Sequence, residues 1–312
     1  MMRNIYFTLR EWKNNKRFVL IKGAGDKAFC AGGYLLDPKY KLLEFIKYHY
    51  PIYAIIGSYA IPYIALIDGI VMGAGVGLSI HGRYRVATER TVFAMPEAKI
   101  GLFPDAGTTY FLPRLTGRLG WFLGLTGHRL KGPDTVKLGI ATHYCKSENL
   151  KDLEDDLLRC SNESDIKAAL DKFHIDDRSE FTLAPVLEKI NYCFSADTME
   201  EILSRLEKDG SKWAEDTTDT LLKMSPTSLK ITLKLFDLGQ RMSLPKCLQM
   251  EYRVCFNCIV NDDSDFYKGV KALLIDKGGA KWNPPTVAEV SEQHRDDHFS
   301  MLQQELDLKN KL

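Results

Sequence analysis

The sequence predicts an α/β core followed by a helical region, and three observations carry that prediction. The stretch Ala65 to Leu115 runs from an apolar strand pattern through a glycine-dense turn into a helix-like segment, then into a second β-rich run. Ahead of it, a short apolar run at Arg17 to Lys22 and a helical stripe at 41–60 are separated by a glycine-rich loop. After Leu115 the pattern is mostly helical, with turns at Gly117, Gly132–Pro133 and Gly139. The change of character falls within 115–150, so the core is taken as 1–118 and the helical region as 119–312.

Taken in order, residues 2–14 read as an amphipathic helix, because Ile5, Leu9 and Trp12 fall at helical spacing. Arg17 to Lys22 reads as a short buried strand. Gly23 to Gly33 (GAGDKAFCAGG) is too glycine-rich for a regular element. It reads as a loop whose backbone can approach a ligand, since glycine has no Cβ to obstruct it. The helical stripe at 41–60 is interrupted at Pro51. Ala65 to Met72 is the next strand, and Arg83 to Met95 is a β-rich run that stops at Pro96.

Charged amphipathic helices then fill 149–223. Thr198–Met199–Glu200–Glu201 fits a capping box, with Gly210 as the C-terminal stop. Ser225 and Pro226 fit the N-cap and first position of another helix, with Met224 and Leu229 as its hydrophobic staple. Leu229, Leu233, Phe236 and Leu238 are expected on its buried side. A further helical run over 247–276 is broken at Asn261–Asp263, and the charged tail after Val290 makes a terminal helix or frays. There is no internal repeat and no low-complexity segment.

The bulk numbers exclude several classes. With 312 residues, 45% hydrophobic and 27% charged, the composition is that of an ordinary soluble globular protein. Lys+Arg 42 against Asp+Glu 41 leaves a net charge of +1, without the basic excess of a nucleic-acid binder. The longest apolar run, Ile61 to Ile80, is broken by Asp68 and four glycines, which favours a buried core segment over a membrane span. Seven scattered cysteines, an odd number, suggest reduced thiols in an intracellular compartment. The first residues lack the continuous apolar core of a signal peptide and make no convincing transit peptide.

The chemistry concentrates between Ala65 and Leu115. Gly73–Ala74–Gly75–Val76–Gly77 after a strand misses the dinucleotide fingerprint G-x-G-x-x-G by one residue. It reads better as a turn that aims a backbone N–H, that of Ala74, outward at a helix start. Glu97 follows Pro96, and eight residues later Asp105 follows Pro104. Two carboxylates on loops near glycine turns are the ingredients of acyl chemistry: backbone donors polarise a carbonyl, and a carboxylate activates water or attacks directly. Carboxylates in such loops are also common as structural caps. Cys255 and Cys258 form a C-x-x-C without the second pair a zinc ribbon needs, and read as core thiols. His294 and His298 read as surface residues, and His81 and His143 have no obvious partners.

At this point the residues resemble a family. KAFCAGG (Lys27 to Gly33), MGAGVGLSIHG (Met72 to Gly82), FAMPEAKIGLFPDAG (Phe93 to Gly107) and YFLPRL (Tyr110 to Leu115) resemble the enoyl-CoA hydratase/isomerase, or crotonase, superfamily. LTGHRLKGPDTVKLGIATHY, SPTSLKITL, MEYR and FYKGVKALLIDK extend the likeness to nearly the whole chain and bring it close to the acyl-CoA hydrolases of that superfamily. The resemblance implies a spiral of β-β-α turns with a helical C-terminal region, a CoA thioester as substrate, and no metal or separate cofactor. It places the oxyanion hole at the N–H groups of Gly33 and Ala74. It puts Glu97, as nucleophile or general base, and Asp105, orienting the substrate hydroxyl and water, on the two acidic positions. The implied reaction is hydrolysis of 3-hydroxyisobutyryl-CoA to the free hydroxy acid and CoA in valine breakdown, in the mitochondrial matrix. Superfamily members often form homo-oligomers.

Gly77 stands where hydratases of the superfamily carry a second catalytic Glu, which disfavours water addition to a double bond. Three further positions depart from the pattern: Tyr34 stands in place of an Asp, His49 in place of an acid and Ala74 in place of a Gly. The chain also starts late, without the family's opening strands or presequence, which would leave unpaired edges and exposed apolar surface. The alternatives are therefore an inactive, truncated form that only binds acyl-CoA or family subunits, and an isomerase using one carboxylate near Asp105. Lys22, Lys27 and Lys277 are candidates for the CoA phosphates.

Overall fold

The computed structural model describes residues 1–13, 15–33, 35–37 and 39–308. The expectation on Tyr34 lies outside the described residues. Helix α1 (Met2–Trp12) precedes strands β1 (Val19–Lys22) and β2 (Ala28–Cys30), followed by helix α2 (Lys39–Ser58). Strands β3 (Tyr63–Ile67) and β4 (Ile70–Met72) lead into helix α3 (Ala74–Ile80). Strands β5 (Tyr84–Ala87) and β6 (Val92–Ala94) lead into a 3₁₀ turn at Glu97–Ile100 and then helix α4 (Thr108–Phe111). Strands β7 (Leu130–Lys131) and β8 (His143–Tyr144) complete two four-stranded sheets, β1-β3-β5-β8 and β2-β4-β6-β7. All pairings are parallel except β6 with β7. Each turn of the chain lays one strand in each sheet before crossing over, which is the expected spiral.

Three expectations about the strands and the loop before them change. The single strand over Ala65–Met72 is two strands in different sheets, because the chain turns at Asp68–Gly69, where Gly69 has a φ of 77°. The run Arg83–Met95 splits likewise, at a turn where the Thr91 hydroxyl accepts from Thr88 N–H at 2.8 Å and donates to the Ile67 carbonyl at 2.6 Å. The loop Gly23–Gly33 contains β2, three residues that pair with β4 and bury Phe29.

Strand β3 explains why its sequence reads as one apolar run: both of its faces are buried. Tyr63, Ala65 and Ile67 join the main core, while Ile64 and Leu66 join a second cluster with Leu153, Leu157 and Ile166. Helix α2 continues through Pro51. Proline inside a helix costs about 3 kcal/mol. That cost is offset because Tyr50, Ile52, Tyr53, Ile55 and Ile56 are all fully or nearly fully buried, between α1 and the helix Leu244–Val260.

The main core spans the sheets and the C-terminal helices, and both sheets take their last strand from beyond residue 118. The helix Met199–Asp209 starts at Thr198, whose hydroxyl accepts from Glu201 N–H, and stops at Gly210 with φ 60°. The helix Pro226–Gly239 is capped by Ser225, but Leu238 faces outward, 37% exposed, because it falls on the helix face opposite that of Leu229, Leu233 and Phe236. The run after 247 forms helices Leu244–Val260 and Asp265–Lys271 and a π turn Ala272–Asp276. The tail forms the helix Glu292–Asp297. No described helix is long and apolar enough to cross a membrane.

Candidate active site

The glycine turn after β4 has a definite geometric cause. Gly73 has φ 53° and ψ −123°, and a Cβ there would lie 3.0 Å from Glu97 Oε1. Only glycine fits, and its fit brings the Glu97 carboxyl against the turn that opens α3. Ala74 is the first residue of α3, so its N–H is one of the donors a helix leaves unbonded at its N-terminus. Glu97 is set by Pro96 before it and by the 3₁₀ turn that ends at Gly101, with φ 72°.

A cavity of about 600 Å³ collects all four residues expected at the site: Gly33, Ala74, Glu97 and Asp105. Its walls are largely apolar, including Leu42, Phe45, Ile46, Ile100, Leu102 and Phe266. Such a volume lies in the range of small-molecule sites, where a few polar groups on apolar walls fix orientation.

The two carboxyls differ in environment although each is only 7% exposed. Glu97 Oε2 is buried without a hydrogen-bond partner. Burial first, and the nearby Asp105 charge second, push its carboxyl well above the ordinary carboxylate range. A buried, unsatisfied polar atom facing a cavity is uncommon and makes Glu97 a candidate functional group. Asp105 is served instead: the Tyr50 hydroxyl donates to its Oδ2 at 3.2 Å, and His49 Nε2 lies 3.2 Å from the same oxygen. The Tyr53 hydroxyl lies 3.1 Å from His49 Nδ1 and donates to the Ala74 carbonyl at 3.0 Å. A chain of polar contacts thus joins Asp105 to the start of α3.

Tyr53 also settles what position 77 can hold. A Cβ on Gly77 would lie 2.3 Å from Tyr53 Cζ. The space a second acidic side chain would need is filled by the ring.

Tyr50 and Tyr53 were not singled out from sequence, and His49 entered only as a departure from a pattern. Their signal is the spacing: Phe45, His49 and Tyr53 recur every four residues along α2, and their rings meet in sequence in tilted and edge-on contacts, centroids 4.7 and 4.5 Å apart. His81 and His143, read as unpartnered, are not: His81 Nε2 lies 2.9 Å from the Ala106 carbonyl oxygen, and His143 Nε2 lies 3.6 Å from Asp171. His294 and His298 are half-buried rather than on the surface, and His294 Nε2 lies 3.2 Å from the Thr227 hydroxyl. Cys255 and Cys258 are free and buried, and burial raises both thiols above their ordinary range. Lys22 pairs with Glu154 at 2.6 Å, and neither it nor Lys27 or Lys277 lines the cavity. Among the described residues, the cations that do are Lys99 and Arg129.

The family model for enoyl-CoA hydratase/isomerase matches residues 1–299. A protein of Danio rerio named 3-hydroxyisobutyryl-CoA hydrolase, mitochondrial, is 49% identical over 99% of this chain and 84% of its own length. A human protein of the same name is 47% identical over 97% of this chain and 82% of its own length. Among solved structures, a carnitinyl-CoA dehydratase from Mycobacterium thermoresistibile has a TM-score of 0.91 at 32% identity, covering 99% of this chain and 91% of that one. An enoyl-CoA hydratase from Rhodobacter sphaeroides has a TM-score of 0.86 at 29% identity, covering 98% of this chain and 91% of that one.

Proposed function

The chain belongs to the enoyl-CoA hydratase/isomerase family, and we propose that within it this protein is a thioester hydrolase that converts 3-hydroxyisobutyryl-CoA to 3-hydroxyisobutyrate and CoA, a step of valine breakdown. The observation that carries the reaction class is the pairing of Glu97 with Gly77: one buried, unpartnered carboxyl at the cavity wall, and a tyrosine ring where a hydratase's second acid would need to stand. The substrate comes from the relatives named for it.

In the mechanism, the thioester carbonyl oxygen accepts from the N–H groups of Gly33 and Ala74. Ionised Glu97 takes a proton from water as the water oxygen adds to the thioester carbon. The tetrahedral oxyanion is stabilised by the two donors, each worth roughly 3–4 kcal/mol of barrier. Its collapse breaks the C–S bond, and the proton held by Glu97 passes to the departing sulfur. Direct attack by Glu97 gives the same products through a mixed anhydride that water then opens. Label found in Glu97 after a single turnover in ¹⁸O-water identifies the anhydride route with water attack at the glutamyl carbonyl, whereas attack at the substrate acyl carbon leaves Glu97 unlabelled, as general-base hydrolysis does. Asp105, held by Tyr50 and His49, orients the substrate hydroxyl and the water. CoA is part of the substrate, and no cofactor enters. We assign the reaction to the mitochondrial matrix, since the relatives are named mitochondrial.

The test is thiol release from 3-hydroxyisobutyryl-CoA, with crotonyl-CoA hydration followed in parallel on the same folded sample. Thiol release without hydration supports the hydrolase. Hydration without thiol release overturns it, and binding of the thioester with neither activity favours the inactive form.

A further inference from the structure

Two side chains, the half-buried His81 and the buried Glu251, have no task in this reaction, and both grip the loop that carries Asp105. Ala106 and Gly107 lie in the left-handed region, with φ of 64° and 80°. A non-glycine residue keeps that conformation only where its surroundings impose it. One constraint comes from His81 at the end of α3, whose Nε2 lies 2.9 Å from the Ala106 carbonyl oxygen. Burial holds the His81 pKa down to about 4, so the ring is neutral and Nε2–H is the donor. The other comes from Glu251 on the helix Leu244–Val260, which is fully buried. Its Oε2 accepts from Gly107 N–H at 2.7 Å, and its Oε1 accepts from Thr109 N–H at 3.1 Å and the Thr109 hydroxyl at 2.5 Å.

We propose that His81 and Glu251 are positioning residues for the hydrolysis, clamping the Asp105–Thr109 loop so that the Asp105 carboxylate stays directed at the substrate hydroxyl and water. The proposal rests on the reading of the site given above. Helix α3 is the mechanical link: it opens at Ala74 and ends at His81, so the bond from His81 to Ala106 sets Asp105 relative to the Ala74 N–H. Glu251 holds the far side of the same loop from a helix 142–144 residues away in sequence. The stretch MEYR, which entered only as part of a likeness, thereby has a definite part in the site.

The test uses the preference for the substrate hydroxyl. It is measured calorimetrically as the ratio of affinities for the non-hydrolysable thioether analogues of 3-hydroxyisobutyryl-CoA and isobutyryl-CoA, which needs no turnover. Glu251→Gln is nearly isosteric, yet its amide NH₂ must face one of the three donors that the carboxylate accepted. The ratio is expected to fall at least about fivefold, because a site built to hydrogen-bond a hydroxyl discriminates only while its groups stay aligned. The thiol-release kcat is expected to fall at least about tenfold, as a misplaced polar group does. In an Asp105→Asn background the same change is expected to add less than about twofold, since its effect passes through Asp105.

His81→Phe removes the donor and lowers both readouts, while His81→Gln, whose amide can reach the Ala106 carbonyl, restores most of them. This pair carries the test if Glu251→Gln does not fold. A hydroxyl preference within twofold of wild type in folded Glu251→Gln, an undiminished further loss in the Asp105→Asn background, or no rescue by His81→Gln overturns the proposal. Wild-type protein that binds the thioether but releases no thiol from the thioester refutes the hydrolase reading alone, and the calorimetric cycle still decides the clamp.

Discussion

Replacing Glu97 by Gln removes one proton-binding group from a buried wall and changes little else in shape. Two consequences of opposite sign follow. Catalysis loses its base or nucleophile, so thiol release falls by about 10²–10⁴ or more while acyl-CoA binding survives. Stability moves the other way with pH. The folded-state pKa of Glu97 is raised by burial and by Asp105, so between the unfolded and folded pKa values the folded chain holds a proton the unfolded chain has released. Wild-type stability therefore declines as pH rises from about 4.5 through the folded pKa, and Glu97→Gln escapes that decline. Each tenfold gain in proton affinity on folding is worth about 1.4 kcal/mol. For 312 residues at roughly 2.1 cal/mol/K of unfolding entropy each, that is about 2 °C of Tm for each tenfold gain. Thermal melts of both proteins from pH 4 to pH 9, with thiol release on the same samples, read both effects. Parallel Tm curves, or turnover within tenfold of wild type, refute the account of Glu97 given above. The same raised pKa predicts that wild-type kcat declines as pH falls through a value well above the ordinary carboxylate range.

Further outcomes follow from the packing. Gly77→Glu drives a side chain into Tyr53; overpacking of about 1–3 kcal/mol lowers Tm by roughly 2–5 °C. Crotonyl-CoA hydration stays absent in that variant, and wild-type melting or a gain of hydration contradicts the packing argument. His49→Phe takes one of the polar contacts from the buried Asp105 and lowers kcat by about tenfold. Steady-state kinetics with kcat unchanged remove His49 from the Asp105 environment. Thr198→Ala deletes the acceptor for Glu201 N–H, costs about 1 kcal/mol in denaturant melts and leaves thiol release as it was. A loss of activity there would connect the distant helix to the site.

Local rules read the chain well where one residue's own geometry decides the outcome. The caps at Thr198 and Ser225, the stop at Gly210, the helix over the first residues and the break after Val260 were all legible. They depend on φ preferences and on hydrogen bonds three residues away. The strands were less legible. Ala65–Met72 and Arg83–Met95 each read as one β-rich run, and periodicity cannot show that their halves belong to different sheets. Helix α2 was read as interrupted because proline acts locally, whereas the burial that overrides it is tertiary.

The site divides along the same line. Gly33, Ala74, Glu97 and Asp105 could be named from the chain, because turn glycines and proline-presented carboxyls advertise themselves within a few residues. That they share one cavity is a property of the spiral, which returns the turns after β2, β4 and β6 to the same end of the sheets. What holds Asp105 belongs wholly to the tertiary structure. Its neighbours come from residues 49 and 50, and the grip on its loop comes from 81 and 251. A buried backbone donor must find an acceptor somewhere, but nothing in its own segment says which helix will supply it.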